Sequence, residues 1–265
     1  MLMLESTGAT GSGVSAVHEG QYVYCIIGTG EARNFGPIGI GGRGDPVTTI
    51  AYRDLSTVVS TVPMSKYVVS KEIMLNHEKV IEAVMKDYTV LPVRFYTVAP
   101  NAEEIRSLLR RRYQEFKKLL RELDNKVELG LKALWKDMDA TFKEIVEENE
   151  ENKIVRDKVV AGSGEDVGQD KAAVSRRIKL ALEEKKAKER EALLQPLRKA
   201  CSDFCLNTTH GDDMIMNAAF LVDRGREKEF DSCVEELGVH SADRIVFKYV
   251  GPAPPYSFVN IVVKE

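Results

Sequence analysis

The segment from Leu75 to Val98 constrains the fold of this chain more than any other part of the sequence. Up to Asp87 its apolar residues recur every three or four positions, which is typical of a helix with one buried face. Ser70 is the expected N-cap, because its hydroxyl can accept a hydrogen bond from an amide of the first helical turn. The buried stripe includes a histidine and consists of Ile73, His77, Val80, Ile81, Val84 and Tyr88.

The same segment continues as a strand from Val90 to Val98, where most residues are β-branched or aromatic. Pro92 has no amide hydrogen to donate to a neighbouring strand, so we expect this strand to lie at a sheet edge or to contain a bulge. Arg94 is the only charged residue in this strand. Strand alternation predicts that Arg94 shares a face with Pro92 and Tyr96.

Arg94 is open to two interpretations. A buried arginine must be paired, and a structural pair with Glu78 or Glu82 is the interpretation we favour. The alternative is a recognition arginine that contacts another protein. Under that alternative Arg94 and Tyr96 become candidate partner-binding residues.

His77 and Glu78 begin like the zinc-binding pattern HExxH, but Ile81 stands where the second histidine is needed. The metalloprotease interpretation therefore fails. We expect His77 to be a core-facing imidazole that bonds to a carbonyl or a carboxylate, or that packs near Arg94, rather than a metal ligand.

Charge and hydropathy exclude several classes of protein. The 38 basic and 41 acidic residues leave a net charge of −3, so the chain has no general attraction to nucleic acid or to an anionic membrane. No apolar run approaches the ~20 residues needed to span a bilayer. The Gly/Ser-rich residues 1–19 lack the pattern of a secretion signal, and we expect them to form a flexible tail of a cytoplasmic protein.

The four cysteines do not form the pattern of a disulfide framework in a chain of 265 residues. Cys201 and Cys205 are expected on one helix, which would extend from Lys171 to about Phe204, as reduced core residues rather than metal ligands. Pro196 should kink or end that helix. We therefore expect neither a metal nor a cofactor.

The order of the elements predicts an α+β protein of two domains. Residues 20–125 hold three short strands and then the helix and strand already described. A bridging helix that Asn101 caps follows them. Together these elements indicate a small α+β sandwich. Residues 126–265 begin with a strand that has one wet face, Val127 to Trp135, and continue with charged helices, a strand, a helix and a strand. This order indicates a ferredoxin-like domain with a long helical insertion, formed as a charged helical hairpin.

Two glycine-rich stretches and a proline-rich stretch remain. Gly28-Thr29-Gly30 lacks the third glycine of a dinucleotide site, and the loop Gly39 to Gly44 lacks the lysine of a phosphate loop, so both are expected to be turns. The four histidines have no nucleophile motif beside them, which argues against an enzyme. The prolines Pro252, Pro254 and Pro255 should hold an extended turn that positions Tyr256 and Phe258, either in the core or as a patch for a partner.

The strings LNHEKVIEAVM and TVLPVRFYTV, with GPAPPYSFV from Gly251 to Val259, resemble the gas vesicle proteins of the F and L type. The resemblance covers roughly Gln21 to Val263, with Ala253 where family members often carry tryptophan. It implies a non-catalytic accessory protein of gas vesicle assembly that binds the major shell protein and other accessory proteins. It also implies a location at the vesicle surface, on the gas-facing side. Within its motifs, the candidate partner-binding residues are Arg94, Tyr96, Tyr256 and Phe258, and the structural residues are His77, Pro92, Pro252 and Pro255.

Two other functions stay open on the sequence. The first is a small-molecule or phosphate sensor, or an enzyme, that uses the Gly39 to Gly44 loop. The second is a scaffold whose charged helices, around Lys179 to Glu191, dock other proteins.

Overall fold

The computed structural model describes residues 19–40, 44–64, 70–147 and 167–261, with side chains described from residue 175 onward in the last of these ranges. The expected tail lies almost wholly outside the described residues. The division into domains at residues 125 and 126 stays a prediction.

The N-terminal half contains one antiparallel sheet of four strands in the order β2-β3-β1-β4. The strands are β1 (Glu19–Ile27), β2 (Thr48–Tyr52), β3 (Leu55–Pro63) and β4 (Val90–Ala99). Helix α1 (Lys71–Met85) lies against one face of this sheet, and Ser70 caps it as predicted, with its hydroxyl accepting from the Ile73 amide at 3.3 Å. The predicted strands of this half and the predicted helix α1 are confirmed.

Pro92 meets both expectations made for it. Strand β4 lies at the edge of the sheet, and its register with β1 slips between Thr97 and Pro92. Residues Val93 to Tyr96 therefore lie opposite the single residue Tyr24 of β1. This bulge leaves the backbone of Tyr96 at a φ of +64°, which breaks the strand alternation that the sequence suggested.

The expected bridging helix is two helices, α2 (Ala102–Arg111) and α3 (Tyr113–Glu122). Asn101 caps α2 as predicted, since its side chain accepts from the Glu104 amide at 3.0 Å. The break falls at Arg112, which occupies the next position of the apolar stripe after Leu108 and Leu109. Its guanidinium turns outward and donates to the Glu115 carboxylate at 2.6 Å. The chain therefore bends at the stripe position that holds a charged residue instead of an apolar one.

The C-terminal half is ferredoxin-like, as predicted. Its strands are β5 (Lys126–Trp135), β6 (Asp203–Leu206), β7 (Met214–Asp223) and β8 (Ile245–Ala253), paired antiparallel in the order β6-β7-β5-β8. Its helices are α4 (Met138–Glu147), α5 (Val167–Ala200) and α6 (Glu227–His240). If the strands of each half are numbered from one, both sheets have the order 2-3-1-4. In the N-terminal half, the chain between β1 and β2 takes the place that α4 and α5 have in the C-terminal half.

One prediction about α5 is wrong, and one of the two effects expected of Pro196 does not occur. The helix ends at Ala200, and Cys205 lies in strand β6 rather than on a helix with Cys201. The reason is pairing with β7, which begins where the Ser202 amide donates to Leu221 at 2.7 Å. Pro196 does not end the helix, which continues for one more turn.

Each sheet buries its own apolar core, and one core draws on both halves. This shared core lies between the N-terminal sheet and helices α2 and α3, and it includes Val93 and Phe116. It also includes Leu221 from β7, and Val259 and Ile261 from the end of the described chain. The C-terminal segment, residues 256–261, therefore returns from β8 to the N-terminal sheet. It begins with a short 3-10 helix (Tyr256–Phe258).

Candidate functional site

A groove of about 530 Å³ lies where α1, β4 and the C-terminal segment meet. Its volume is within the range of roughly 300–1,000 Å³ that is usual for ligand sites. Its wall combines apolar and polar groups, including Met74, His77, Pro92, Arg94, Tyr256 and Asn260. The groove therefore brings together residues from all three sequence strings that carried the family resemblance.

His77 forms part of this wall and is only 2 % exposed. Its Nδ1 atom lies 3.0 Å from the hydroxyl of Tyr22 in β1, and that hydroxyl accepts from the Tyr96 amide at 3.2 Å. The predicted core-facing imidazole is confirmed, but its partner is a phenol rather than a carbonyl or a carboxylate. The sequence pattern shows that His77 is buried, whereas the choice of Tyr22 depends on how α1 crosses the sheet.

Burial controls the charge of this imidazole. The ring packs among Tyr22, Tyr24 and Phe95, with centroid distances of 5.5–5.7 Å, and no charged group is within that set. Burial lowers the pKa of His77 from 6.5 to about 4, so the ring is neutral at pH 7. Its second nitrogen, Nε2, is buried and has no hydrogen-bond partner among the described residues.

Arg94 is exposed at the groove. Within the described ranges no ion pair or hydrogen bond joins its guanidinium to Glu78, Glu82 or any other group, so the favoured pairing is wrong. The physical reason is that the side chain stays in water and needs no carboxylate. Pro92 is buried beside it, and Tyr96 packs toward α1, so the three do not share one face.

The two candidate aromatic residues of the C-terminal segment have different positions. Tyr256 lies at the groove and is 37 % exposed. Burial of its hydroxyl group, and then the nearby Glu78 and Glu82 carboxylates, raise its pKa. Phe258 packs against the shared core instead. Phe258 therefore takes the core position, whereas Tyr256 is exposed, and a role for Tyr256 in partner binding stays a prediction.

The segment that carries them is held by Glu128 of β5. Its carboxylate accepts from both the amide and the hydroxyl of Ser257 at 2.7 Å. Pro254 and Pro255 are buried, and Pro252 is exposed after a cis peptide bond with Gly251. Glu128 was not singled out by the sequence, because a single acidic residue on the wet face of a strand carries no signal of its distant partner.

The glycine-rich loop offers little to a phosphate in its described part. Gly41 to Arg43 lie outside the described residues. On either side, the Gly39 amide donates to the Asp45 carbonyl at 3.1 Å and the Ile40 amide donates to the Tyr24 hydroxyl at 2.9 Å. These two amides are therefore occupied by the protein itself.

Among residues 19–40, 44–64, 70–147 and 167–261, no group of three or more His, Cys, Asp or Glu side chains is arranged to hold a metal ion. Across those ranges, too, no helix combines the length and apolar character required to cross a membrane.

Comparison with known proteins identifies the family. The family model described as gas vesicle synthesis protein GvpL/GvpF matches residues 20–260. Gas vesicle protein F of Streptomyces sp. (strain CB03234) is 28% identical over 222 residues, which are 84% of this chain and 91% of that protein. Gas vesicle protein F of Dolichospermum flosaquae is 27% identical over 220 residues, covering 82% and 88% of the two chains.

A solved structure agrees with the sequence comparisons. The crystal structure of gas vesicle protein GvpF from Microcystis aeruginosa matches with a TM-score of 0.78 at 25% identity, over 91% of this chain and 99% of that one. The resemblance in the three sequence strings is therefore confirmed, and so is the α+β fold. Because the family match spans nearly the whole chain, this protein belongs to the GvpL/GvpF family of gas vesicle synthesis proteins.

Proposed function

We propose that this chain is an accessory assembly protein that binds the major hydrophobic shell protein of gas vesicles, and other accessory subunits, during vesicle formation. Its family is named for gas vesicle synthesis, which ties the chain to this process. An apolar shell subunit needs a protein that covers its surface before it polymerises, and binding is sufficient for that role.

The single observation that best supports binding is the exposure of Met74 and Tyr256 at the groove, with Leu75 next to Met74 in α1. Met74 is 46 % exposed, Leu75 is 44 % exposed and Tyr256 is 37 % exposed, and all three lie at the N-terminal part of α1 or on the C-terminal segment. Large apolar groups exposed next to one another favour contact with another protein. A groove between a helix and an edge strand suits an apolar helix or strand of a partner.

The reactive groups of the described residues favour binding over catalysis. Burial raises the pKa of the Cys25 thiol, which keeps it protonated and unreactive at neutral pH. His77 is the only buried histidine in the described ranges, and its hydrogen-bond partner there is Tyr22. Within those ranges it forms no hydrogen bond with a serine or a cysteine that it could activate as a nucleophile. These features support a protein that acts without chemistry.

Binding is tested by co-expressing the tagged chain with the major shell protein and purifying it under native conditions. We expect the shell protein to be retained, and retention to fall when Met74 and Tyr256 are both changed to serine. The matched control changes Val239 to serine, because Val239 is 72 % exposed but lies at the end of α6. Absence of the shell protein from the wild-type eluate would contradict the proposal.

Location is a further part of the proposal. We propose that the chain is assembled in the cytoplasm and ends on the gas-facing side of the vesicle surface. Treating purified vesicles with protease before and after collapse under pressure tests this. A gas-facing protein should survive digestion in intact vesicles and be cleaved only after collapse, whereas cleavage in intact vesicles would contradict the location.

A further inference from the structure

Two residues that line the groove have side-chain nitrogen atoms with no hydrogen-bond partner in the described part of the chain. These atoms are a ring nitrogen of His77 and the guanidinium nitrogens of Arg94. A buried polar atom without a partner is rare in folded proteins, and one in a residue that lines a groove calls for an explanation.

The position of the proton on His77 follows from its neighbours. The Tyr96 amide already donates to the Tyr22 oxygen at 3.2 Å, and the Tyr22 oxygen lies 3.0 Å from Nδ1 of His77. The arrangement that also uses the hydroxyl proton of Tyr22 directs it to Nδ1, and we infer that Nδ1 is the unprotonated nitrogen. A neutral imidazole carries its one proton on the other nitrogen, so Nε2 is a buried N–H group that lacks an acceptor.

An acceptor brought by a ligand would satisfy this N–H group once the side chains that cover Nε2 shift to admit it. The charge of the groove favours an anionic acceptor. Arg94 places a positive charge at the groove that no described group neutralises. A carboxylate matches both donors, because it accepts hydrogen bonds at each oxygen and pairs with a guanidinium. Glu78 is also at the groove and is exposed, so it opposes an anionic ligand.

The remaining groove surface favours a peptide over a small anion. Met74, Phe95 and Tyr256 give it apolar area. Strand β4 is at the edge of its sheet, and no strand of the described ranges pairs with its outer side. Extended peptides bind to such edges through backbone hydrogen bonds and place alternate side chains in the adjoining groove.

We propose that this groove binds an extended peptide segment that carries one carboxylate among apolar side chains, with the carboxylate accepting from His77 and Arg94. This site goes beyond the proposed function, because it depends on the groove alone and not on which protein supplies the segment. The peptide used below to test the groove contains no shell-protein sequence. A failure of peptide binding in the groove is therefore distinguishable from a failure of shell-protein binding.

The probe is a dye-labelled, terminally blocked pentapeptide, Leu-Val-Glu-Val-Leu, whose only carboxylate is the glutamate. Its twin carries glutamine instead. Fluorescence polarisation with the full chain measures the dissociation constant, and the nitrogen-15 resonances of the His77 ring report contact at the site. We expect saturable binding that shifts the Nε2 resonance and that is about tenfold weaker for the glutamine twin, as loss of one charge-assisted hydrogen bond predicts.

Two variants of groove residues test the site, because they should change the affinity for the glutamate peptide in opposite directions. Arg94→Gln should weaken binding of the glutamate peptide about tenfold, and Glu78→Gln should strengthen it, because each removes one charge from the groove. Arg176→Gln is the matched control, since Arg176 is equally exposed but lies on α5. All three positions are exposed, so the variants should keep the wild-type melting temperature, which is measured alongside.

Three results would overturn the proposal. They are the absence of saturable binding, equal affinity for the glutamate peptide and its twin, and an effect of Arg176→Gln as large as that of Arg94→Gln. Hexanoate serves as a small carboxylate competitor. If hexanoate displaces the peptide at concentrations equal to the peptide's own dissociation constant, the groove is a site for small carboxylates and not for a peptide.

Discussion

At the scale of single residues, His77 shows how burial and hydrogen bonding set a charge state. Its ring is 2 % exposed and has one partner, the hydroxyl of Tyr22. A positive charge at this position would have no carboxylate among the aromatic rings that surround it. The folded state therefore holds the pKa of His77 at about 4, whereas the unfolded chain restores the ordinary value near 6.5.

This difference predicts that the free energy of unfolding falls as the pH is lowered from about 7 to about 4. In that range the unfolded state binds a proton at His77 and the folded state does not, so protons favour unfolding, by up to about 3 kcal/mol. Urea denaturation at pH 7.5 and pH 5 measures the change. His77→Gln should reduce the difference between the two pH values. His240→Gln, at an exposed histidine, should leave the difference intact, and an equal effect of both variants would contradict the account.

Gly251 is the second residue with a clear physical requirement. Its φ is +132°, and a β-carbon there would lie 2.8 Å from the Leu129 side chain and 2.9 Å from the Glu128 carbonyl. Gly251→Ala should therefore lower the free energy of unfolding by about 1–3 kcal/mol, measured by urea denaturation. Gly225→Ala is the control, because a β-carbon at Gly225 meets nothing within 4 Å. Equal stabilities of the two variants would show that the turn tolerates a side chain.

At the scale of elements, the C-terminal segment is held by one carboxylate and two apolar side chains. Glu128 accepts both hydrogen bonds of Ser257, and Val259 and Ile261 enter the shared core. Since Tyr256, Ser257 and both apolar anchors line the groove, the shape of the groove depends on how firmly the segment is held.

Glu128→Ala should loosen this segment. We expect faster amide hydrogen exchange in residues 256–261 and a loss of about 1–3 kcal/mol in the free energy of unfolding, because the hydroxyl and the amide of Ser257 lose their acceptor. Exchange measured by mass spectrometry reports the segment directly. Glu122→Ala, at an exposed position of α3, is the matched control. Unchanged exchange in the segment after loss of Glu128 would contradict the role given to it.

Local patterns predicted the elements well, and their limits have physical causes. The helical stripe and the caps at Ser70 and Asn101 depend on residues close in the chain, so the sequence was enough to find them. The break at Arg112 was missed, although the charged residue at a stripe position was its signal. The strand that contains Cys205 was missed because its pairing with β7 is a contact between distant residues.

The site was predictable only in part, for the same reason. The sequence indicated that His77 is buried and that Pro92 lies at an edge or a bulge, and both are found. It did not indicate that Tyr22 would bond to His77. Nor did it show that Arg94 would stay unpaired, because the bulge in β4 changes the direction of the side chains that follow Pro92.

At the scale of the whole molecule, the two sheets are joined by a shared core. Leu221 of β7 and Ile261 are both buried, at 6 % and 2 % exposure, in the core that α2 and α3 cover. Both halves also have the same strand order. This arrangement favours unfolding of the two halves as one cooperative unit.

The double variant Leu221→Ala, Ile261→Ala should separate the unfolding of the two halves. Each truncation removes apolar contacts and leaves a cavity, which lowers the free energy of unfolding by about 2–5 kcal/mol. The lost contacts are those that join the two halves. Differential scanning calorimetry should show one transition for the wild type and two for the variant. The control Leu193→Ala, Leu197→Ala lies in the core of the C-terminal sheet and should not weaken the contact between the halves. Two transitions in the wild type would contradict a shared core.

The central proposal is that this chain acts by covering the apolar surface of a gas vesicle shell protein. The most direct test dilutes denatured major shell protein into buffer with increasing amounts of this chain and follows aggregation by light scattering. We predict that scattering falls in proportion to the added chain and is abolished near a fixed molar ratio, without any added small molecule. Scattering as high as with an equal mass of serum albumin would contradict the claim.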